Sequence, residues 1–196
     1  MKKNSIALLS IGAILLIAIF WGISKYNGLV TKDEAVSGQW ANVENQYQRR
    51  ADLIPNLVAT VKGYAAHESE TLEGVVAARA KATQITVDPE NLTPENLQKY
   101  QAAQGELSAA LGKLLMITEN YPDLKANQNF LELQAQLEGT ENRISTERGR
   151  FNDLSKEFNA AIRKFPTNII ASIGGFEKKA YFEAEEGSKE APKVQF

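Results

Sequence analysis

Apolar and polar positions along this chain obey different rules on either side of residue 24. Before it there is no period: from Ile6 to Ile23 the only interruptions of an apolar run are Ser10, Gly12 and Gly22. Eighteen helical residues rise about 27 Å, close to the roughly 30 Å hydrocarbon core of a bilayer. Ile6 to Ile23 is therefore predicted to cross a membrane once, as a helix whose backbone hydrogen bonds are internal. Lys2 and Lys3 precede the run, and Trp21 near its far end suits the headgroup boundary. A cleaved secretory signal begins in the same way. This run exceeds the roughly 7 to 15 apolar residues of such a signal, and its one small-x-small site, Gly22-Ile23-Ser24, leads into helix-compatible residues, so an uncleaved anchor is expected.

After residue 24 the apolar positions recur every three and four residues, the spacing of one helix face. One stripe runs Val36, Trp40, Val43, Tyr47, Arg50, Ile54, Leu57, Val61, Tyr64; a second runs Leu97, Tyr100, Gln104, Leu107, Leu111, Leu114, Thr118, Tyr121. The third holds one heptad position six times over, Phe130, Leu137, Ile144, Phe151, Phe158 and Phe165, with Leu133, Leu154 and Ala161 between. Each narrow stripe needs partners to cover it. The expected fold class is all-α: a single N-terminal transmembrane helix followed by an antiparallel up-down bundle of three to four long helices crossing at about 20°.

Local chemistry sets the boundaries. Asp88-Pro89 and Thr93-Pro94-Glu95 mark a connection in which Thr93 caps the next helix and Pro94 takes its first position. Tyr121-Pro122-Asp123 marks a second turn, with Asp123 the candidate cap of the last long helix, and Phe165-Pro166-Thr167-Asn168 ends that helix. Pro55 falls inside the first stripe, but the heptad phase runs through it, which favours a kink within one helix over a break. Gly28 is the only weak helix former between Ser24 and Ser37, so the membrane helix is expected to run on into the bundle. Gly105, Gly112 and Gly139 suggest close helix approach. The expected organisation is a flank at residues 1–5, a membrane helix at 6–24, a bundle at 26–182, with a short apolar segment from Ile169 to Phe176, and a disordered charged tail at 183–196.

Charge narrows the partners. A net charge of −2, with acidic and basic residues interspersed, offers no basic face for phosphates, so no nucleic-acid binding is expected. The absence of cysteine removes disulfides, thiolate metal sites and a lipidated N-terminal cysteine. Lys2, Lys3 and the terminal amine against Lys25 and Lys32 lean weakly toward a cytoplasmic N-terminus, with the bundle on the periplasmic side. Catalytic constellations fail on inspection. His67-Glu68 begins like a zinc-protease helix, but Thr71 stands where the second histidine belongs, and the single histidine has Tyr64 three residues before it rather than the glutamate of a di-iron bundle. Gly174-Gly175-Phe176-Glu177-Lys178 lacks phosphate-loop spacing. No catalytic residue, cofactor or metal is expected.

Specific runs carry a family likeness. Tyr47-Gln48-Arg49-Arg50-Ala51-Asp52-Leu53-Ile54-Pro55-Asn56-Leu57-Val58 with Tyr64-Ala65-Ala66-His67-Glu68 form one signature. Tyr121-Pro122-Asp123-Leu124-Lys125-Ala126, Asn129-Phe130, Leu137-Glu138-Gly139-Thr140-Glu141-Asn142-Arg143-Ile144 and Phe165-Pro166-Thr167-Asn168 form the second. Over residues 26 to 182 the chain resembles the LemA family of bacterial membrane proteins. The resemblance implies one membrane helix and an antiparallel bundle, no established activity, and genomic association with membrane metalloproteases and other envelope proteins.

Polar residues in these signatures are the candidate sites. Arg50 and Glu68 fall on the first seam, Thr140 and Glu147 on the last, and a buried charge is costly unless paired. An interhelical network is expected in which Arg50 meets a seam carboxylate such as Glu147; the alternative is that these side chains reach solvent at the bundle edge. Arg49, Asp52 and Asn56 form an outward strip, and Glu138 and Asn142 another, either merely solvated or a docking face for envelope proteins. A membrane-anchored scaffold is thus the expected function, an envelope enzyme using a carboxylate/arginine site the alternative; a homo-oligomer is compatible with the first.

Overall fold

The computed structural model describes residues 2–89 and 92–183, with side chains from Leu8 onward. Most of the predicted tail lies outside the described residues. Helix α1 (Lys2–Tyr64) runs unbroken from the apolar segment into the bundle. A turn leads to α2 (Ser69–Gln84), and a connection to α3 (Pro94–Thr118). The single turn α4 (Pro122–Lys125) precedes α5 (Gln128–Arg163) and the short α6 (Thr167–Ile173). Helices α1, α2, α3 and α5 run up, down, up and down. Lys32–Glu157 at 3.1 Å and Gln39–Glu147 at 2.6 Å set α5 antiparallel to α1, and Lys81–Glu106 at 2.6 Å sets α3 against α2. Among the described residues, α1 is the one helix long and apolar enough to cross a membrane.

The stripes read from the sequence become the core. Val36, Trp40, Val43 and Tyr47 pack with Leu97, Tyr100, Ile144, Phe151 and Phe158 in the half nearer the apolar segment. Ile54, Leu57 and Val61 pack with Leu107, Leu111, Leu114, Phe130 and Leu137 in the far half. Trp40 makes an edge contact with Tyr100 at 5.2 Å, within the range where aromatic pairs add to burial. Phe165 departs from its stripe: α5 ends at Arg163, so the last heptad position leaves the helix and Phe165 is 81% exposed.

Three boundary expectations need correction. The seam of α1 stops at Val61; Tyr64 is exposed and Glu68 lies in the turn before α2, not on the first helix. Asn127, not Asp123, caps α5, its side chain accepting from the Phe130 N–H at 3.0 Å, because Asp123 is spent inside α4. Gly105, Gly112 and Gly139 face open space, since an added Cβ at each would meet nothing within 4 Å. Thr93 caps α3 with Pro94 first in the helix, Thr93 Oγ1 accepting from the Asn96 N–H at 3.2 Å.

Proline 55 shows why α1 survives. Proline has no N–H to give the carbonyl four residues back, so Ala51, itself buried, is left with an unpaired oxygen. Arg79 of α2 donates its Nε–H to that oxygen at 2.7 Å. A neighbouring helix replaces the missing bond.

Beyond α6 the chain turns at Gly175, whose φ of 71° suits a residue without a Cβ, and runs extended along the bundle. Amide side chains hold it as a strand partner would. Asn159 accepts from the Lys179 N–H at 2.8 Å and donates to the Lys179 carbonyl at 2.9 Å; Asn152 does the same for Phe182 at 2.8 and 3.0 Å. The spacing matches by geometry: seven helical residues advance about 10.5 Å and three extended ones about 10 Å. Phe182 thereby stacks on Trp40, centroids 5.9 Å apart. The sequence stripes gave no sign of this strap.

Candidate functional site

Between the two apolar halves lies a polar layer built around Arg50. Its position on the α1 seam buries it to 1% exposure, and a cation there must find partners. Two come from α3: Arg50 Nη1 donates to Ser108 Oγ at 2.7 Å, and Nη2 to Gln104 Oε1 at 2.7 Å and to the Gln104 carbonyl at 3.2 Å. The third is Glu141 of α5, whose carboxylate lies 2.7 Å from Nη1. The Tyr47 ring covers the guanidinium at 5.1 Å. Gln104 in turn donates to the Ala82 carbonyl at 3.3 Å, so α1, α2, α3 and α5 all meet here.

The carboxylate that meets Arg50 is Glu141 rather than Glu147. Six residues, about 9 Å of helix, separate them, and at its own level Glu147 accepts from Gln39 Nε2 at 2.6 Å and from Arg150 at 2.9 Å. Glu68 is distant from Arg50 along the rod and accepts from the Tyr121 hydroxyl at 2.9 Å, which keeps that phenol protonated above its ordinary range. Thr140 is buried beside the layer but donates to the Gln136 carbonyl of its own helix at 2.7 Å. Gln104 stood on the α3 stripe and Glu141 inside the second signature, but only interhelical register identifies them, with Ser108 and Arg79, as members.

Arg49, Asp52 and Asn56 are exposed on α1, as are Glu138 and Asn142 on α5. Asp52 accepts from Gln48 at 2.7 Å and Glu138 from Gln134 at 3.1 Å, each within its own helix. The Arg50–Glu141 bond places both strips near the same level of the rod.

A pocket of about 300 Å³ opens beside the layer, lined by Glu44, Tyr47, Gln48, Thr86, Tyr100 and Gln104. Burial raises the Glu44 carboxyl above its ordinary range, partly offset by the Trp40 indole N–H beside it. Burial likewise pushes up both tyrosines; for Tyr47 the cations Arg148 and Arg50 oppose the rise. Tyr47 and Tyr100 are thus neutral hydrogen-bonding groups. Among the described residues no group of three or more His, Asp and Glu is placed to hold a metal ion.

The model of the LemA family matches residues 39–196. Magnetosome protein MamQ of Magnetospirillum gryphiswaldense is 28% identical, over 89% of this chain and 71% of its own. Magnetosome protein MamQ 2 of Paramagnetospirillum magneticum is also 28% identical, over 82% of this chain and 65% of its own. Protein LemA of Metamycoplasma hominis is 26% identical, over 88% of this chain and 76% of its own.

Proposed function

This chain belongs to the LemA family, and from that premise we propose that it is a membrane-anchored helical scaffold, with residues 6–23 spanning the bilayer and the bundle holding envelope proteins beside it. One observation carries the proposal: α1 passes without interruption from its apolar segment into the centre of the bundle. A helix shared by anchor and core couples the rod mechanically to the membrane, as a flexible linker would not. The Arg50 layer sets the register of α1, α3 and α5, so Arg49, Asp52 and Asn56 stand at a defined place relative to Glu138 and Asn142. These two strips are the docking face, Arg49 supplying a fork for a partner carboxylate. The magnetosome assignment of the MamQ relatives supports work at an assembled envelope structure. The slight lysine balance around the apolar segment supports the periplasmic side for the bundle.

The enzyme alternative rests on Glu44, an acid with a raised pKa in a small pocket. Its pocket mates are neutral phenols, amides and threonine hydroxyls, and no histidine, lysine or second carboxylate lines the pocket beside it, which favours the scaffold.

Photocrosslinking tests this in the full-length protein in its native membranes. With the photoreactive residue at Asn56 or Asn142, a discrete adduct with an envelope protein is expected, lost when Arg49→Glu is added. Equal adducts from the exposed Met116 at the far end of the rod, or indifference to Arg49→Glu, would overturn the docking face. Recovery of the chain in the soluble fraction without detergent would overturn the anchor. Protease added to intact spheroplasts should digest the bundle, and its protection would place it in the cytoplasm.

A further inference from the structure

Among the described residues, α6 leaves an apolar face without a protein partner. Ile169 and Ile173, one turn apart on α6, are 50% and 80% exposed, and Phe165 just before the helix is exposed too. Ile169 and Ile173 share one face by spacing. The opposite side is anchored: Ala171 is buried, and the Ile170 side chain stands 3.6 Å from where a Cβ would lie on Gly22. Tyr26 and Phe176 pack at 5.5 Å just beyond. Gly22 belongs to the apolar segment of α1, whose side chains from Leu8 to Ile23 are themselves largely exposed. The open face of α6 is therefore continuous with the surface of the membrane helix, at the end marked by Trp21 and Lys25, the Lys25 ammonium 5.9 Å from the indole. Exposed Arg163, Lys164 and Lys178 flank it.

We propose that α6 is an interfacial foot: Phe165, Ile169 and Ile173 enter the boundary between headgroups and acyl chains of the bilayer that α1 crosses, while the flanking cations meet lipid phosphates. Apolar side chains with a basic border at membrane depth are the composition of segments that lie in the interface plane. With α1 alone the rod is free to rotate and tilt about its anchor. A second contact, displaced from the α1 axis, fixes the angle at which the bundle stands on the membrane. The inference rests on the spanning role proposed for residues 6–23.

The full chain, which has no native cysteine, is suited to site-specific labelling in phosphatidylcholine/phosphatidylglycerol vesicles. An environment-sensitive fluorophore is attached to Ile169→Cys, Ile173→Cys, Leu15→Cys or Met116→Cys, and the quenchers are lipids spin-labelled near the headgroup, with lipids spin-labelled deep in the acyl chain used for the mid-span Leu15→Cys. Both α6 positions should be blue-shifted and lose emission several-fold relative to Met116→Cys, the far-end control. Quenching at Leu15→Cys with none at either α6 position would overturn the foot and leave the anchor standing. No quenching at any position would overturn both. A blue-shifted, unquenched label at Ile173→Cys, together with an intermolecular disulfide formed on air oxidation of the same variant left unlabelled, would assign the face to a second copy of the chain and equally overturn the foot.

Discussion

If Arg79 replaces the hydrogen bond that Pro55 cannot make, the two residues are thermodynamically coupled through the Ala51 carbonyl. Replacing Arg79 with methionine keeps most of the packing and removes the donor 2.7 Å from the Ala51 oxygen. A buried acceptor left unpaired costs about 1–3 kcal/mol, and Arg79 is only half-buried, so water recovers some of it; about 1–2 kcal/mol is expected. For a chain of this size each kcal/mol moves Tm by about 2–4 °C, giving a fall of roughly 2–8 °C. Pro55→Ala restores the N–H four residues on from Ala51, and in that background Arg79→Met should cost no more than about 0.5 kcal/mol. Wild type, both single variants and the double variant, compared in detergent micelles by far-UV circular dichroism melts, complete the cycle. An equal loss from Arg79→Met in both backgrounds would refute the reasoning, because Arg79 would then stabilise the fold through something other than the orphaned carbonyl.

The Arg50 layer obeys the same logic. Glu141→Ala should cost about 2–3 kcal/mol, less than for a fully buried pair because Glu141 is 43% exposed, and almost nothing when Arg50 is already methionine; denaturant titration of the two pairs checks this. Asn159→Ala strips both bonds from Lys179, so amide exchange should accelerate at 179–183 while the buried α1 and α5 amides stay protected. Asn127→Ala should lower stability by about 1 kcal/mol and Asp123→Ala hardly at all, as Asn127 is the cap. Glu44 has a folded pKa above its unfolded one, so the folded state holds the proton more tightly and stability falls as pH rises from the ordinary carboxylate value through the raised one. Glu44→Gln should flatten that fall without changing stability at acid pH, as read from melts across the range.

Periodicity made most of the bundle legible. A seam position such as Trp40, Leu107 or Phe151 must be covered wherever its helix packs, so burial follows from spacing alone, and the apolar run to Ile23 is read the same way. Caps were legible where a single candidate stood in place, as at Thr93, and misread where Asp123 and Asn127 competed within one short turn. The break after Tyr64 was missed because residues 65–68 carry no proline and only ordinary helix-compatible side chains.

Spacing along the chain settles which side of each long helix faces inward and that Arg50, so placed, requires partners. Tertiary structure alone decided that the partners are Gln104, Ser108 and Glu141, that Arg79 repairs the gap at Pro55, and that Asn152 and Asn159 clasp an extended strap. Sliding α5 along α1 by one heptad keeps every heptad position yet brings Arg148 instead of Glu141 level with Arg50, since a periodic stripe is nearly unchanged by such a shift. Only the summed packing of all four helices selects one register, and polar pairings are fixed by register.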